Sequence, residues 1–543
     1  MHVPFITFHL TVKVLYKEKT TFASDDILKL HAILTTTYEL RCSYIYKDLS
    51  MIIISLSREK PDTTFHRLVT QTMSKTTHIA VIPSPGFSHL VPIVEFTKRL
   101  LTNHPNFHIT CIIPSLGSLP DSSKSYLETI PPNINSIFLP PINKQDLPQG
   151  AYPAILIQQT VTLSLPSIHQ ALKSLTSKAS LVAIIADPFA FQALDFAKEF
   201  NSLSFLYFPC SAFVLSLVLH IPKLHEEVSC EYKDLQEPIK LQGCVPINGV
   251  DLPTPTQKRS SELYKMFLQR AKGLYFVDGV LFNSFFELES SVIKALEQKG
   301  HGKISFFPVG PITQIGSSNS NDVDDEIECL KWLKNQPQDS VLYVSFGSGG
   351  TLSQKQIYEL AFGLELSGHR FIWVVRAPSD SVNAAYLEAT KEDPLKFLPQ
   401  GFLERTKEKG LILPSWAPQV EILKQKSVGG FLSHCGWNSI LESIQEGVPI
   451  VAWPLFAEQA MNAVMLSDGL KVALRLKFED GEIVEKEKIA KVIKCVMEGE
   501  EGKGMRERMK SLKDSAANAL KYDGSSMHTL SQLARKLESF GGI

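Results

Sequence analysis

From residue 78 onward, short continuous apolar runs alternate with longer stretches of helical spacing. HIAVIPSP (78–85) precedes LVPIVEFTKRLL (90–101), and FHITCIIPS (107–115) follows. The order recurs as SLVAIIADP (180–188), FQALDFAKEF (191–200) and LSFLYFPCS (203–211), then as GVLFNSF (279–285), ELESSVIKALEQK (287–299) and ISFFPVG (304–310). It restarts with VLYVSFGS (341–348), QKQIYELAFGLELSG (354–368) and RFIWVVRA (370–377). Strands buried on both faces read as unbroken apolar runs, so this alternation predicts βαβ units and parallel sheets covered by helices.

TQIGSSNSNDVDDEIE (313–328) interrupts the pattern with Gly, Ser, Asn and acidic residues, the composition of an exposed linker. The expected fold class is therefore α/β, with two Rossmann-like domains. Their bounds are 73–315 and 329–522, joined by a linker over 316–328 and followed by a C-terminal helix within 523–543. Residues 1–72 have β-branched patches without a sustained period. MSKTTHIAVIPSPG looks like a fresh beginning, so Met73 is expected to be the functional start and 1–72 a non-native or disordered extension.

Composition narrows the function. The 543 residues are 44% hydrophobic and 20% charged, with a formal net charge of −1. That balance gives no broad attraction to nucleic acid or anionic membrane, so any anion must be held by local geometry. No apolar run reaches the length of a membrane span, and no secretory signal is evident. The eight cysteines form no C-x-x-C pair, and several sit in strand-like runs, as in a reducing compartment. A cytoplasmic monomer is expected.

The candidate chemistry concentrates in SVGGFLSHCGWNSILESIQEGVPIVAWPLFAEQ (427–459). SVGGFLSH reads as a strand, NSILESIQE as a helix ended by Gly447, and VPIVAWP as the next strand. His434 to Ser439 thus occupy a loop from a strand's carboxyl end to a helix N-terminus, where open α/β sheets bind ligands. Asn438 or Ser439 can cap that helix, and its free N–H groups make an anion site in which His434, Asn438 and Ser439 complete a phosphate cradle. A plain helix cap would explain a lone Asn-Ser pair equally well.

These residues are not alone. From Trp416 to Gln459 the segment closely resembles the nucleotide-sugar box of plant family 1 UDP-glycosyltransferases. W-x-P-Q, H-C-G-W-N-S, L-E-S, G-V-P, W-P and E-Q all fall in register over 44 positions. The resemblance continues across 77–540 and is strongest to the hydroquinone and monolignol glucosyltransferase branch. It implies a GT-B arrangement, two domains facing across a cleft. It also implies that Trp416 stacks on uracil while Ala417 and Gln419 read its polar edge, and that Glu442 accepts the ribose hydroxyls. By the same resemblance Ser348, His434, Asn438 and Ser439 hold the diphosphate, and Glu458 and Gln459 bond the sugar. Gln459 together with Trp437 points to glucose.

His89 ends SPGFSH at another carboxyl-edge loop, and Asp187 ends the strand of a second βα unit. Taken singly, one could be a helix-start histidine and the other an N-cap before Pro188. The family places its catalytic base at this His, with the Asp orienting the imidazole as in a His–Asp pair. The implied reaction is inverting transfer of glucose from UDP-glucose to a phenolic hydroxyl, with no cofactor and no metal. The D-x-D at Asp322–Asp324 falls in the linker and reads as solvated.

Rival readings are weaker. The nucleophile elbow G-x-S-x-G fails around both Ser88 and Ser348. A glycosidase needs two opposed carboxylates, and Glu442 and Glu458 have better uses. A non-catalytic UDP-sugar-binding protein would not need His89 and Asp187. The acceptor pocket is expected from 150–160 and 211–229, whose apolar and aromatic character suits a flat phenol. Its identity, and O- against N- or S-transfer, stay open.

Overall fold

A computed structural model describes residues 77–298, 302–313, 328–383, 392–478 and 481–541. The expectations for residues 1–72, for the linker over 316–327 and for Asp322–Asp324 lie outside the described residues. Glu328, assigned to the linker, is the first residue of the helix Glu328–Lys334.

Thirteen parallel strands form two sheets among these residues. The first contains β1 (Thr77–Ile82), β2 (Phe107–Ile113), β3 (Ile134–Phe138), β4 (Ser180–Ala186), β5 (Leu203–Phe208), β6 (Gly279–Phe282) and β7 (Ser305–Pro308), in the order β3-β2-β1-β4-β5-β6-β7. The second contains β8 (Val341–Ser345), β9 (Arg370–Val375), β10 (Gly410–Pro414), β11 (Val428–Ser433), β12 (Ile450–Ala452) and β13 (Ala473–Arg475), in the order β10-β9-β8-β11-β12-β13. In each sheet the strand order reverses once, between β1 and β4 and between β8 and β11. Loops leaving adjacent carboxyl ends diverge there, opening a crevice.

The continuous apolar runs have the cause inferred from sequence. Alternate residues of β1 feed cores on opposite faces: Ala80 and Ile82 pack into one, Ile79 and Val81 into the other. In β8, Leu342 and Val344 face one core while Val341 and Tyr343 face another.

The C-terminal helix, Ser525–Gly541, does not stay with the sheet that precedes it in sequence. Leu530, Leu533, Ala534 and Leu537, spaced as one helical stripe, bury fully against the first sheet beside Ile79 and Val81. Ser526 donates to the Gly310 carbonyl, and the Lys536 ammonium donates to the Asp278 carbonyl at 3.1 Å and Ser305 at 2.9 Å. No helix among the described residues is long and apolar enough to cross a membrane.

Candidate active site

His89 and Asp187 leave the carboxyl ends of β1 and β4, the two strands at the first switch point. The helix Phe87–Asn103 starts behind Gly86, whose φ of +116° no β-carbon-bearing residue adopts comfortably. His89 therefore lies in the first turn. Its Nδ1 stands 2.8 Å from Asp187 Oδ2. An ionised carboxylate only accepts, so Nδ1 carries the proton. Oδ1 of Asp187 accepts from the Phe189 N–H at 3.0 Å and from the Ser84 hydroxyl. Asp187 thus caps the turn beginning at Pro188 and orients His89 at once, fully buried while His89 keeps 12% exposure. The Phe189 ring meets the imidazole edge-on at 5.2 Å.

The helix read over 191–200 is instead a 3₁₀ run, Pro188–Asp195, with one α-turn after it. Asp187 and Pro188 lock the start of a tight turn, and few residues remain before β5.

The donor-side residues surround the second switch point. His434 follows β11 directly, and its ring is slotted between two glycines. A Cβ on either Gly347 or Gly436 would lie 2.4 Å from it. Burial, with the nearby Arg376 charge, pushes the imidazole down to about 4, so it is neutral. His434 Nδ1 and Asn438 Oδ1 are buried without hydrogen-bond partners among the described residues. Unmet polar atoms in such a place suit a polar ligand.

Asn438 and Ser439 do not cap the helix Trp437–Glu446. Gly436 is the N-cap and no side chain bonds there. Cys435, at φ +63°, turns the chain so that the cap falls two residues before Asn438. The helix's first N–H groups are therefore without a side-chain cap, and both side chains lie in the same first turn. The Ser439 hydroxyl accepts from Gln419 Nε2 at 2.9 Å, and the same nitrogen donates to Glu442 Oε2 at 2.6 Å. Burial raises the Glu442 carboxyl to about 7, opposed by that bond from Gln419. Beside them Ala417 is buried, while Trp416 presents its indole at 71% exposure. A tryptophan so exposed is an open platform for a flat base. Ser348 is exposed on the Gly-rich loop after β8.

Two box residues are engaged otherwise. The Trp437 indole is buried, and its N–H donates at 2.6 Å to the carbonyl of Asn283, in the loop after β6 of the first sheet. The Gln459 side-chain carbonyl accepts from the Leu455 and Phe456 N–H groups at 2.9 and 3.0 Å, which leaves its amide nitrogen to serve as donor. Sequence reasoning also missed Ser84, Phe189, Asn283 and Arg376. The Arg376 guanidinium donates to the Ser415 carbonyl at 3.2 Å, just before Trp416. None carries a local signal, because each acts on a residue distant in sequence.

The two sheets meet around these loops. Thr254 N–H donates to the Ala457 carbonyl at 2.9 Å, and Arg475 pairs with Asp251. Glu458 follows Ala457 at this junction, and burial raises its carboxyl. Ser415, Cys435 and Ala457, which precede Trp416, Gly436 and Glu458, all hold positive φ. Strain of this kind collects at ligand sites.

Comparison with known proteins identifies the family. Residues 307–514 match the family described as UDP-glucoronosyl and UDP-glucosyl transferase. A hydroquinone glucosyltransferase of Rauvolfia serpentina is 49% identical, aligned over 86% of this chain and 99% of its own. UDP-glycosyltransferase 72B1 of Arabidopsis thaliana is 48% identical over 85% and 96%. Among solved structures, UGT2 of Phytolacca americana, complexed with UDP-2-fluoro-glucose and pterostilbene, superposes with a TM-score of 0.78 at 42% identity, covering 85% and 99% of the two chains. A UDP-glucosyltransferase of Polygonum tinctorium capable of glucosylating indoxyl gives 0.79 at 43% identity, covering 86% and 99%. Two facing Rossmann-like domains of GT-B type, a nucleotide-sugar box in register along its whole length and relatives aligned nearly end to end lead to one conclusion: this chain belongs to the UDP-glycosyltransferase family.

Proposed function

We propose that the protein transfers glucose from UDP-glucose to a hydroxyl of a small phenolic acceptor, with inversion, and that His89 is the base. The observation carrying this reading is the buried Ser84–Asp187–His89 chain at the first switch point, in the sheet whose loops bond the donor-box loops through Asn283 and Trp437 and through Thr254 and Ala457. Asp187 fixes the proton on Nδ1, so Nε2 takes the acceptor's proton as the oxygen attacks C1. The C1–O bond to the diphosphate breaks on the opposite face and UDP departs. An α-linked donor gives a β-glucoside.

Trp416 stacks on the uracil, Ala417 and Gln419 read its edge, and Glu442 accepts the ribose hydroxyls. His434, neutral through burial before the donor binds, offers the diphosphate a hydrogen bond. Asn438, Ser439, Ser348 and the N–H groups at Trp437–Ser439 join it as the leaving group gains charge. Glu458 and the Gln459 amide bond the sugar hydroxyls. Trp437 acts through the position of its loop, since its indole N–H is already engaged. No step needs a metal ion. The names of the relatives, hydroquinone glucosyltransferase among them, support the phenolic class. We place the protein in the cytoplasm as a monomer, and the free cysteines among the described residues fit a reducing compartment.

The test is incubation with UDP-glucose and hydroquinone, reading UDP release and the anomeric proton of the product by NMR. A β-glucoside lost in His89→Ala, with UDP affinity retained, supports the reading. Hydrolysis without transfer, or turnover surviving in that variant, removes it.

A further inference from the structure

The mechanism leaves one charged group in the acceptor half of the cleft without a task. Arg270 lies near the end of the helix Glu262–Gly273. Its guanidinium carbon sits 4.6 Å over the Phe189 ring. That ring meets the His89 imidazole edge-on at 5.2 Å, so cation and base lie no more than about 10 Å apart. Arg270 is half-buried, and its Nε is sealed without a hydrogen-bond partner among the described residues. Asp187 is the acid whose charge it feels. Yet no hydrogen bond or ion pair joins the two among the described residues, and Asp187 bonds His89, Ser84 and the Phe189 N–H instead. The dyad therefore does not use the arginine directly.

We propose that Arg270 is a specificity-determining residue that selects phenolic acceptors bearing a carboxylate. This rests on the function proposed above and names its acceptor class. A partly desolvated guanidinium keeps its charge, and its planar fork matches a carboxylate better than a neutral group. An aromatic ring lying along Phe189 spans the two functions. Its hydroxyl reaches His89 at one end, and its carboxylate reaches Arg270 at the other, with a hydrogen bond at each. The helix Pro153–Thr176, which takes in part of the segment 150–160 expected to form the pocket, packs against the turn that carries Phe189, and the helix Ala212–Glu227, within the segment 211–229, packs against the helix that carries Arg270. A single cation in such surroundings discriminates strongly between charged and neutral acceptors.

The experiment compares kcat/KM for 4-hydroxybenzoate and its methyl ester in the unaltered enzyme, Arg270→Met and Arg270→Lys. Methionine should lower the value for the acid by about tenfold or more and leave the ester within about twofold, as for a lost charge-assisted bond. Lysine, keeping the charge without the fork, should fall between. Equal loss on both acceptors would make Arg270 a structural brace and overturn the proposal, as would no loss on either. If Met abolishes all turnover, Lys decides: unchanged discrimination between acid and ester in that variant also overturns it. Failure of the unaltered enzyme to glucosylate either compound would instead strike the proposed function itself.

Discussion

Replacing Asp187 by asparagine tests the base assignment through the atoms around one carboxylate. Oδ1 holds two donors, the Phe189 N–H and the Ser84 hydroxyl, while Oδ2 faces His89 Nδ1. An amide must choose an orientation. With its oxygen at the Oδ1 position, both donors stay satisfied and the NH₂ points at the imidazole. The reverse sets N–H against N–H at Phe189, an unsatisfied buried pair costing about 1–3 kcal/mol. The first orientation wins, and Nδ1 must then accept. The imidazole proton moves to Nε2, where the acceptor's own proton should go. Restoring the productive tautomer costs about 1–3 kcal/mol for the opposed N–H groups, and the imidazolium loses a charge-assisted partner of about 1.5–3 kcal/mol. Together these predict a fall in kcat/KM of roughly 10²–10⁴ for phenols neutral at the assay pH. UDP affinity, measured by calorimetry, should be unchanged. A dinitrophenol already ionised in solution needs no base, so its loss should be less than about tenfold. A decrease below tenfold for hydroquinone, or equal losses for both acceptors, would refute the tautomer argument.

Three further outcomes follow from the donor half and the fold. Uridine binding at pH 7 should release about half a proton from Glu442: its carboxyl titrates at about 7 when free, and two ribose hydroxyls favour the ionised form. Calorimetry in buffers of different ionisation enthalpy reads this, with Glu442→Gln as control; proton uptake, or none exchanged, would contradict it. Gly436→Ala should weaken UDP binding by about tenfold or more, because the new Cβ lies 2.4 Å from the His434 ring and displaces a buried hydrogen-bonding group; unchanged affinity would mean that the slot is not needed. Leu537→Ala should cost about 2–5 kcal/mol in urea unfolding without altering UDP affinity under native conditions; a loss below about 1 kcal/mol would show a loosely docked helix.

The layout of sheets and loops was legible because parallel strands buried on both faces leave unbroken apolar runs, and VLYVSFGS and HIAVIPSP could hardly be anything else. The donor box was legible from its register. What escaped falls into two kinds. Local turns were misjudged where the backbone, not the side chain, decided: Cys435 moved the cap to Gly436, and Asp187–Pro188 tightened a helix into a 3₁₀ run. Contacts between distant segments had no signal at all. Ser84 against Asp187, Asn283 against Trp437 and Arg270 over Phe189 each join residues tens to hundreds of positions apart. The leucine stripe of the last helix was visible as an amphipathic face, but its pattern does not say which sheet it will cover.

That last helix bears on biosynthesis. A ribosome releases the first sheet long before residues 530–537 emerge, so the part of that core which the last helix completes waits uncovered through the making of the entire second domain. The amino-terminal half expressed by itself should therefore be sticky and short-lived. Chopping the tail would injure the half that is farthest from it along the polypeptide.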